Sequence, residues 1–126
     1  MLTIGLKTEK ELLLPYCKKA KLPYNGGIFL YLAENRGEKL AAGLFEIAGN
    51  SVSIRYYESQ DPDPFLLDGI LRAGFNYAGD QSIEKGVLPE EFRQIHKELF
   101  ASLNYPPEPT FNIDNFFAKY KNCITP

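Results

Sequence analysis

The stretch that most constrains the fold covers residues 51–79, SVSIRYYESQDPDPFLLDGILRAGFNYAG, in which a strand pattern leads through a turn into an amphipathic helix. Asp63 is a favourable N-cap, and Pro64 suits the first helical position because its missing N–H is not needed there. Many α/β proteins bind a phosphate at such a unit, because the free N–H groups of a helix start favour an anion. Here the turn carries Asp61 and Asp63 and no glycine. The sequence therefore predicts the fold more directly than the activity.

The N-terminal part of the chain predicts one helix. Thr8 and Glu11 have capping-box spacing, which predicts that a helix starts there. Pro15 is expected to interrupt or kink this helix, because proline lacks the N–H that bonds back to the preceding turn.

Three strands with short turns should follow, which predicts an antiparallel meander. They are predicted over residues 28–33, 40–47 and 52–57. Alternation predicts that Val52, Ile54 and Tyr56 share one face of the third strand.

After the predicted helix of residues 64–80, a short strand is predicted within residues 82–88, parallel to the strand before that helix. Pro89 should open a further helix that ends before Pro106, and the prolines there predict an extended segment. Asp114 is expected to cap a terminal helix whose Phe116, Phe117 and Tyr120 would lie against the body of the protein.

Length and charge narrow the class of protein. The chain has 126 residues and a net charge of −2, which favours one domain over residues 1–126 and disfavours nucleic acid as a partner. Its apolar runs are too short for a membrane span, so a cytoplasmic location without a membrane partner is expected. Cys17 and Cys123 are expected to be reduced thiols. With His96 as the one histidine, no metal site is expected.

The order of elements resembles the GNAT (N-acetyltransferase-like) superfamily. KELFASLNYPP is similar to the end of that family's last long helix, LLDGILRAGFNYAG to the helix after its cofactor-binding strand, and SVSIRYYES to that strand. The resemblance covers roughly residues 1–112. It implies an α/β (α+β) fold with a mixed, mostly antiparallel sheet, a central parallel pair and helices on both faces.

Two features of this chain depart from the family's pattern. Family members carry glycines in the strand-to-helix turn, which let backbone N–H groups approach the coenzyme A pyrophosphate. The matching loop here has two prolines without N–H donors and two carboxylates that repel a diphosphate by several kcal/mol each, on the order expected near an effective dielectric of 20. The candidate cofactor-binding residues of the loop are Ser59, Gln60, Asp61, Asp63 and Phe65. The tyrosine that in this family acts as general acid and protonates the leaving thiolate corresponds to Phe100, which has no proton to donate.

Three residues are candidates for a catalytic or binding role near this end of the sheet. Glu58 is the candidate base, with a pKa that burial is expected to raise. Tyr57 and Tyr105 are candidate proton donors or pocket-lining residues.

Two functions and one assembly remain open from the sequence. The leading interpretation is a degenerate GNAT-like module that binds a small ligand or a protein through a cleft around Tyr57, Glu58 and Tyr105, with no cofactor expected. The alternative is an acyl-CoA-dependent N-acetyltransferase with an atypical loop, for which acetyl-CoA is the cofactor. A third reading is a homodimer in which two copies complete one core.

Overall fold

The computed structural model describes the backbone of residues 1–124 and the side chains of residues 1–118. It has a six-stranded sheet in the order β1-β2-β3-β4-β5-β6. The strands are β1 (Leu2–Lys7), β2 (Ile28–Asn35), β3 (Glu38–Ala48), β4 (Ser51–Ser59), β5 (Lys85–Val87) and β6 (Thr110–Asn112). The helices are α1 (Lys10–Ala20), α2 (Pro64–Asp80), α3 (Glu90–Ile95), α4 (Lys97–Phe100) and α5 (Ile113–Ile124).

The predicted mixed sheet is confirmed. β4 and β5 are parallel, and every other neighbouring pair in this sheet is antiparallel. The three predicted strands of the meander are present, each somewhat longer than its sequence pattern suggested. β1 was not predicted, although Leu2, Ile4 and Leu6 alternate with other residues as a strand requires.

The sheet has a helix layer on each face, as predicted. One core lies under α2 and includes Phe45, Ile70 and Phe75. A second, smaller core lies under α1 and includes Leu13, Cys17 and Leu44. At Gly74 of α2, an added Cβ would lie 2.2 Å from Phe45 Cζ, so the helix approaches the sheet through the missing side chain.

The N-terminal helix differs from its prediction in two ways. Its N-cap is Glu9, without a side-chain capping bond, so the predicted capping box from Thr8 to Glu11 is wrong. Pro15 lies inside α1, which continues to Ala20, so the predicted interruption of the helix at the proline is absent. Burial of Leu13 and Cys17 against the sheet stabilises the helix and offsets the hydrogen bond that proline removes.

The C-terminal third also differs in detail from the prediction. The helix predicted from Pro89 is divided at His96 into α3 and α4. The extended segment after the prolines becomes β6, which pairs with β5. At the start of α5, the Asn112 side chain accepts the Asn115 N–H at 2.9 Å, so Asn112 takes the capping role predicted for Asp114. The side chains of Tyr120 and Cys123 lie outside the described residues.

Candidate functional site

The parallel strands β4 and β5 separate after only three paired residues. β5 pairs with β4 over three residues, from Ser51↔Lys85 to Ser53↔Val87. Beyond Ser53, no described strand pairs with this edge of β4. β5 ends at Val87, and Pro89 then directs the chain into α3. Residues 54–59 of β4 therefore border an opening in the sheet.

A cleft of about 390 Å³ lies at the α2 end of this opening. Its walls come from the end of β4, the turn before α2, and the α3–α4 segment: Ser59, Pro62, Gln94, Ile95, His96, Lys97, Glu98 and Leu99. A second cavity of about 250 Å³ borders the same strand nearer its start, at Ile54 and Arg55. Ile95 lines both cavities and is 76% exposed. The opening can therefore admit a ligand along β4.

A β-bulge in β4 decides which side chains face this cleft. Leu44 of β3 pairs with Tyr56 and Phe45 pairs with Ile54, so Arg55 is an extra residue. Ile54 and Tyr57 therefore belong to the core under α2, while Tyr56 contacts the core under α1. The predicted shared face of Val52, Ile54 and Tyr56 is wrong because the bulge reverses the alternation at Arg55.

Tyr57 lies beside the cleft, under residues that line it. Its ring is 5.5 Å from the His96 ring and nearly perpendicular to it. Burial raises the pKa of Tyr57 to about 12. The hydroxyl makes no hydrogen bond of good geometry with any described residue, although the nearby Ser59 side chain acts to lower its pKa. A buried, unpaired hydroxyl costs free energy, so this group favours a ligand or water that can pair with it.

His96 is a cleft residue whose position the sequence interpretation missed. It sits at the junction of α3 and α4, and its ring also contacts Phe92, with centroids 4.6 Å apart. Burial lowers the pKa of the imidazole, which favours the neutral form. The sequence signal was its place four residues after Phe92, which puts both on one helix face. The helix break that turns it to the cleft has no clear sequence signal.

Glu58 lies on the face of β4 opposite to Tyr57, in a cluster of charged and phenolic side chains near α1. Lys19 Nζ donates to its Oε1 at 2.7 Å, Lys39 Nζ to its Oε2 at 2.9 Å, and Tyr56 to its Oε1 at 2.9 Å. Burial acts to raise the pKa of Glu58, but the hydrogen bonds from Lys19, Lys39 and Tyr56 outweigh it and lower the pKa to about 2. The expected rise in this pKa is therefore wrong. A carboxylate with such a low pKa is a weak proton acceptor.

Hydrogen bonds within the chain occupy polar groups of the turn before α2, as the predicted N-cap suggested. The Asp63 carboxylate accepts the backbone N–H groups of Phe65 at 2.9 Å and Leu66 at 3.3 Å, so the predicted N-cap is confirmed. Gln60 Nε2 donates to the Lys39 carbonyl at 2.7 Å, which ties the turn to β3. The first donors of α2 and the Gln60 side chain are therefore already in use.

Tyr105 belongs to a different cluster, which it forms with Asp68 and Arg72 of α2. Its hydroxyl donates to Asp68, whose two carboxylate oxygens also share the single Arg72 Nε–H, at 3.1 and 3.0 Å from the nitrogen. Arg72 and Asp68, four residues apart on α2, thus form an ion pair. The Tyr105 ring contacts Phe100 and Phe116. The structure therefore does not bring Tyr57, Glu58 and Tyr105 into one cleft.

The described residues show little else that resembles a reactive site. Among them, no group of three or more His, Cys, Asp or Glu side chains is placed to hold a metal ion. No described helix is long and apolar enough to cross a membrane. Cys17 is free and 3% exposed, and burial raises the pKa of its thiol, which disfavours the reactive thiolate.

Comparison with known proteins gives a clear result for the fold. No protein-family model matches the sequence, and no curated protein matches it. Solved structures do match. An acetyltransferase of the GNAT family from Staphylococcus aureus aligns with a TM-score of 0.59 and 12% identity, over 90% of this chain and 99% of that one. The ribosomal-protein-S18-alanine N-acetyltransferase of Escherichia coli aligns with a TM-score of 0.57 and 12% identity, over 82% and 77%.

A third similar structure was determined with coenzyme A bound. It is an Escherichia coli protein that aligns with a TM-score of 0.53 and 15% identity, over 89% of this chain and 97% of that one. At such low identity these likenesses establish the architecture. The chain has the fold of the GNAT acetyltransferases, as its sequence resemblance implied.

Proposed function

We propose that this chain is a GNAT-fold binding module that holds its ligand in the cleft beside β4 and does not carry out ordinary acetyl transfer from coenzyme A. The observation that carries this proposal is the capping of α2 by Asp63. Its carboxylate accepts the N–H groups of Phe65 and Leu66, which a diphosphate at this helix start would need.

Other residues of the turn also fit coenzyme A poorly. Pro62 and Pro64 have no N–H to donate, and Asp61 adds a second carboxylate. A phosphate charge about 4 Å from a carboxylate is opposed by roughly 4 kcal/mol at an effective dielectric of 20. Phe100, at the position that resembles the family's tyrosine, lies against Phe92 and Tyr105 and cannot protonate a leaving thiolate. Binding of the pyrophosphate and protonation of the leaving thiolate are thus disfavoured for two independent reasons.

The second candidate is an acyl-CoA-dependent N-acetyltransferase. The opening between β4 and β5 and the fold likeness to acetyltransferases favour it. Within this candidate, Glu58 as base would have to exchange its two lysine partners for a substrate amine. Tyr57, whose hydroxyl is unpaired among the described residues, is the better-placed proton donor of the candidate tyrosines.

Calorimetric titration with coenzyme A and acetyl-CoA separates the two candidates. The unmodified protein should give no binding heat at millimolar ligand. Two variants then test the physical reason: Asp63→Asn keeps a capping oxygen and removes the charge, whereas Asp63→Gly removes both. Combined with Asp61→Gly and Pro62→Gly, the glycine variant should gain measurable affinity, and the asparagine variant should gain less. Micromolar binding by the unmodified protein would overturn the proposal.

A further inference from the structure

One edge of β4 is available for pairing with another extended chain. β5 covers this edge at residues 51–53, and no described strand covers it at residues 54–59. Alternate residues of a strand direct their N–H and C=O groups to alternate sides, so about three of these six residues direct backbone groups into the opening. Unpaired strand edges are templates for a further strand.

The space beside this edge matches an extended chain in length. The cavity at Ile54 and Arg55 and the cleft at Ser59 lie at the two ends of the uncovered stretch, and both are bordered by Ile95. Five steps along a strand span about 17 Å. A chain of five or six residues paired with β4 would therefore reach from one cavity to the other.

The charges around the opening favour a neutral or basic ligand. Glu91 and Glu98 line the two cavities, and Asp61 and Asp63 lie in the adjoining turn. The basic residues that line them are Lys97 and Arg55, and Arg55 Nε is 3.8 Å from Glu46. Two carboxylates and two cations thus line the cavities, and the turn adds two further carboxylates, which disfavours phosphates, nucleic acid and anionic lipid.

We propose that the uncovered edge of β4 binds an extended peptide segment of a partner protein, neutral or basic in charge, as an added strand. Backbone hydrogen bonds to residues 54–59 supply the affinity, and the two cavities accept side chains of the peptide. The inference rests on the proposed function, because a chain that filled the opening with acyl-CoA could not also hold a peptide there.

The test begins with selection of random octapeptides on phage against the full chain. The strongest binder is resynthesised with blocked ends, and its site is mapped by amide hydrogen exchange and NMR shifts. We expect protection of amides within residues 54–59. N-methylation of the peptide amides that face β4 should weaken binding about tenfold or more, the loss of roughly 1.4 kcal/mol of backbone hydrogen bonding. N-methylation of the intervening amides should have little effect.

A pair of surface variants provides the matched control. Ile95→Asp places a charge at the junction of the two cavities and should weaken the peptide about tenfold or more, because it opposes burial of apolar surface there. Leu12→Asp makes the same kind of change on α1, where Leu12 is 45% exposed and lines neither cavity, and should leave binding unchanged.

The outcomes distinguish this inference from the proposed function. Failure to enrich any peptide, a binding site mapped away from β4, or equal effects of both N-methylation patterns would overturn the peptide inference alone. Micromolar binding of coenzyme A in the calorimetric titration would overturn the proposed function, and the peptide inference with it.

Discussion

Replacement of Glu58 by glutamine should cost stability at neutral pH, and this cost should disappear in acid. The side chain is held by Lys19, Lys39 and Tyr56, and its pKa is lowered from 4.5 to about 2. A shift of that size corresponds to at most about 3.5 kcal/mol. Glu58 is 24% exposed and its lysine partners are 48% and 45% exposed, so screening by solvent reduces the expected contribution to about 1–2 kcal/mol.

The sign of the pH dependence follows from the lowered pKa. Because the folded protein releases this proton more readily than the unfolded chain does, the stabilisation is complete above the unfolded pKa of about 4.5. It is lost progressively as the pH falls from there through the folded pKa of about 2. The free energy of unfolding of Glu58→Gln should therefore lie about 1–2 kcal/mol below that of the unmodified protein at pH 7, and this difference should shrink to roughly half or less by pH 3.

Urea unfolding followed by far-ultraviolet circular dichroism at pH 7, 5, 4 and 3 measures this difference. Glu38→Gln is the matched control, because Glu38 is exposed in the same sheet and forms no ion pair with a described residue. Its unfolding should follow that of the unmodified protein at every pH. A Glu58→Gln deficit that stays constant down to pH 3, or no deficit at pH 7, would refute the reasoning.

Three further predictions concern the core and the cleft. Gly74→Ala should lower the free energy of unfolding by about 1–3 kcal/mol in urea titrations, because the new methyl group would overlap the Phe45 ring. The double variant Gly74→Ala/Phe45→Leu relieves this overlap and should recover part of the loss. In a Cys123→Ser background, Cys17 should react with Ellman's reagent far more slowly in the native state than in urea, and equal rates would show that its burial is wrong. The NMR pH titration of His96 should give a midpoint below 6.5, as burial among Tyr57 and Phe92 requires, and a midpoint above 6.5 would contradict that placement.

The sequence predicted much of the fold because its strongest local signals agree with the tertiary structure. The Asp63-Pro64 cap, the apolar stripe of α2 and the three-strand meander are each encoded within a few residues, and each is present. The parallel placement of β5 was predicted because a helix separates it from the preceding strand, as in a strand–helix–strand unit. The N-terminal strand was missed because a six-residue alternation is a short signal beside the adjacent helix pattern.

The arrangement of the candidate site was decided by long-range contacts. One extra residue at Arg55, accommodated by pairing with β3, puts Tyr57 in the core under α2 and Glu58 on the face near α1. Lysines from α1 and β3 then lower a pKa that strand-end burial alone would raise. Local sequence thus determined where the helices and strands lie and how the turn before α2 is capped. Strand register and residues distant in sequence decided which side chains come into contact and which charged groups surround Glu58. Local sequence patterns do not encode either of these.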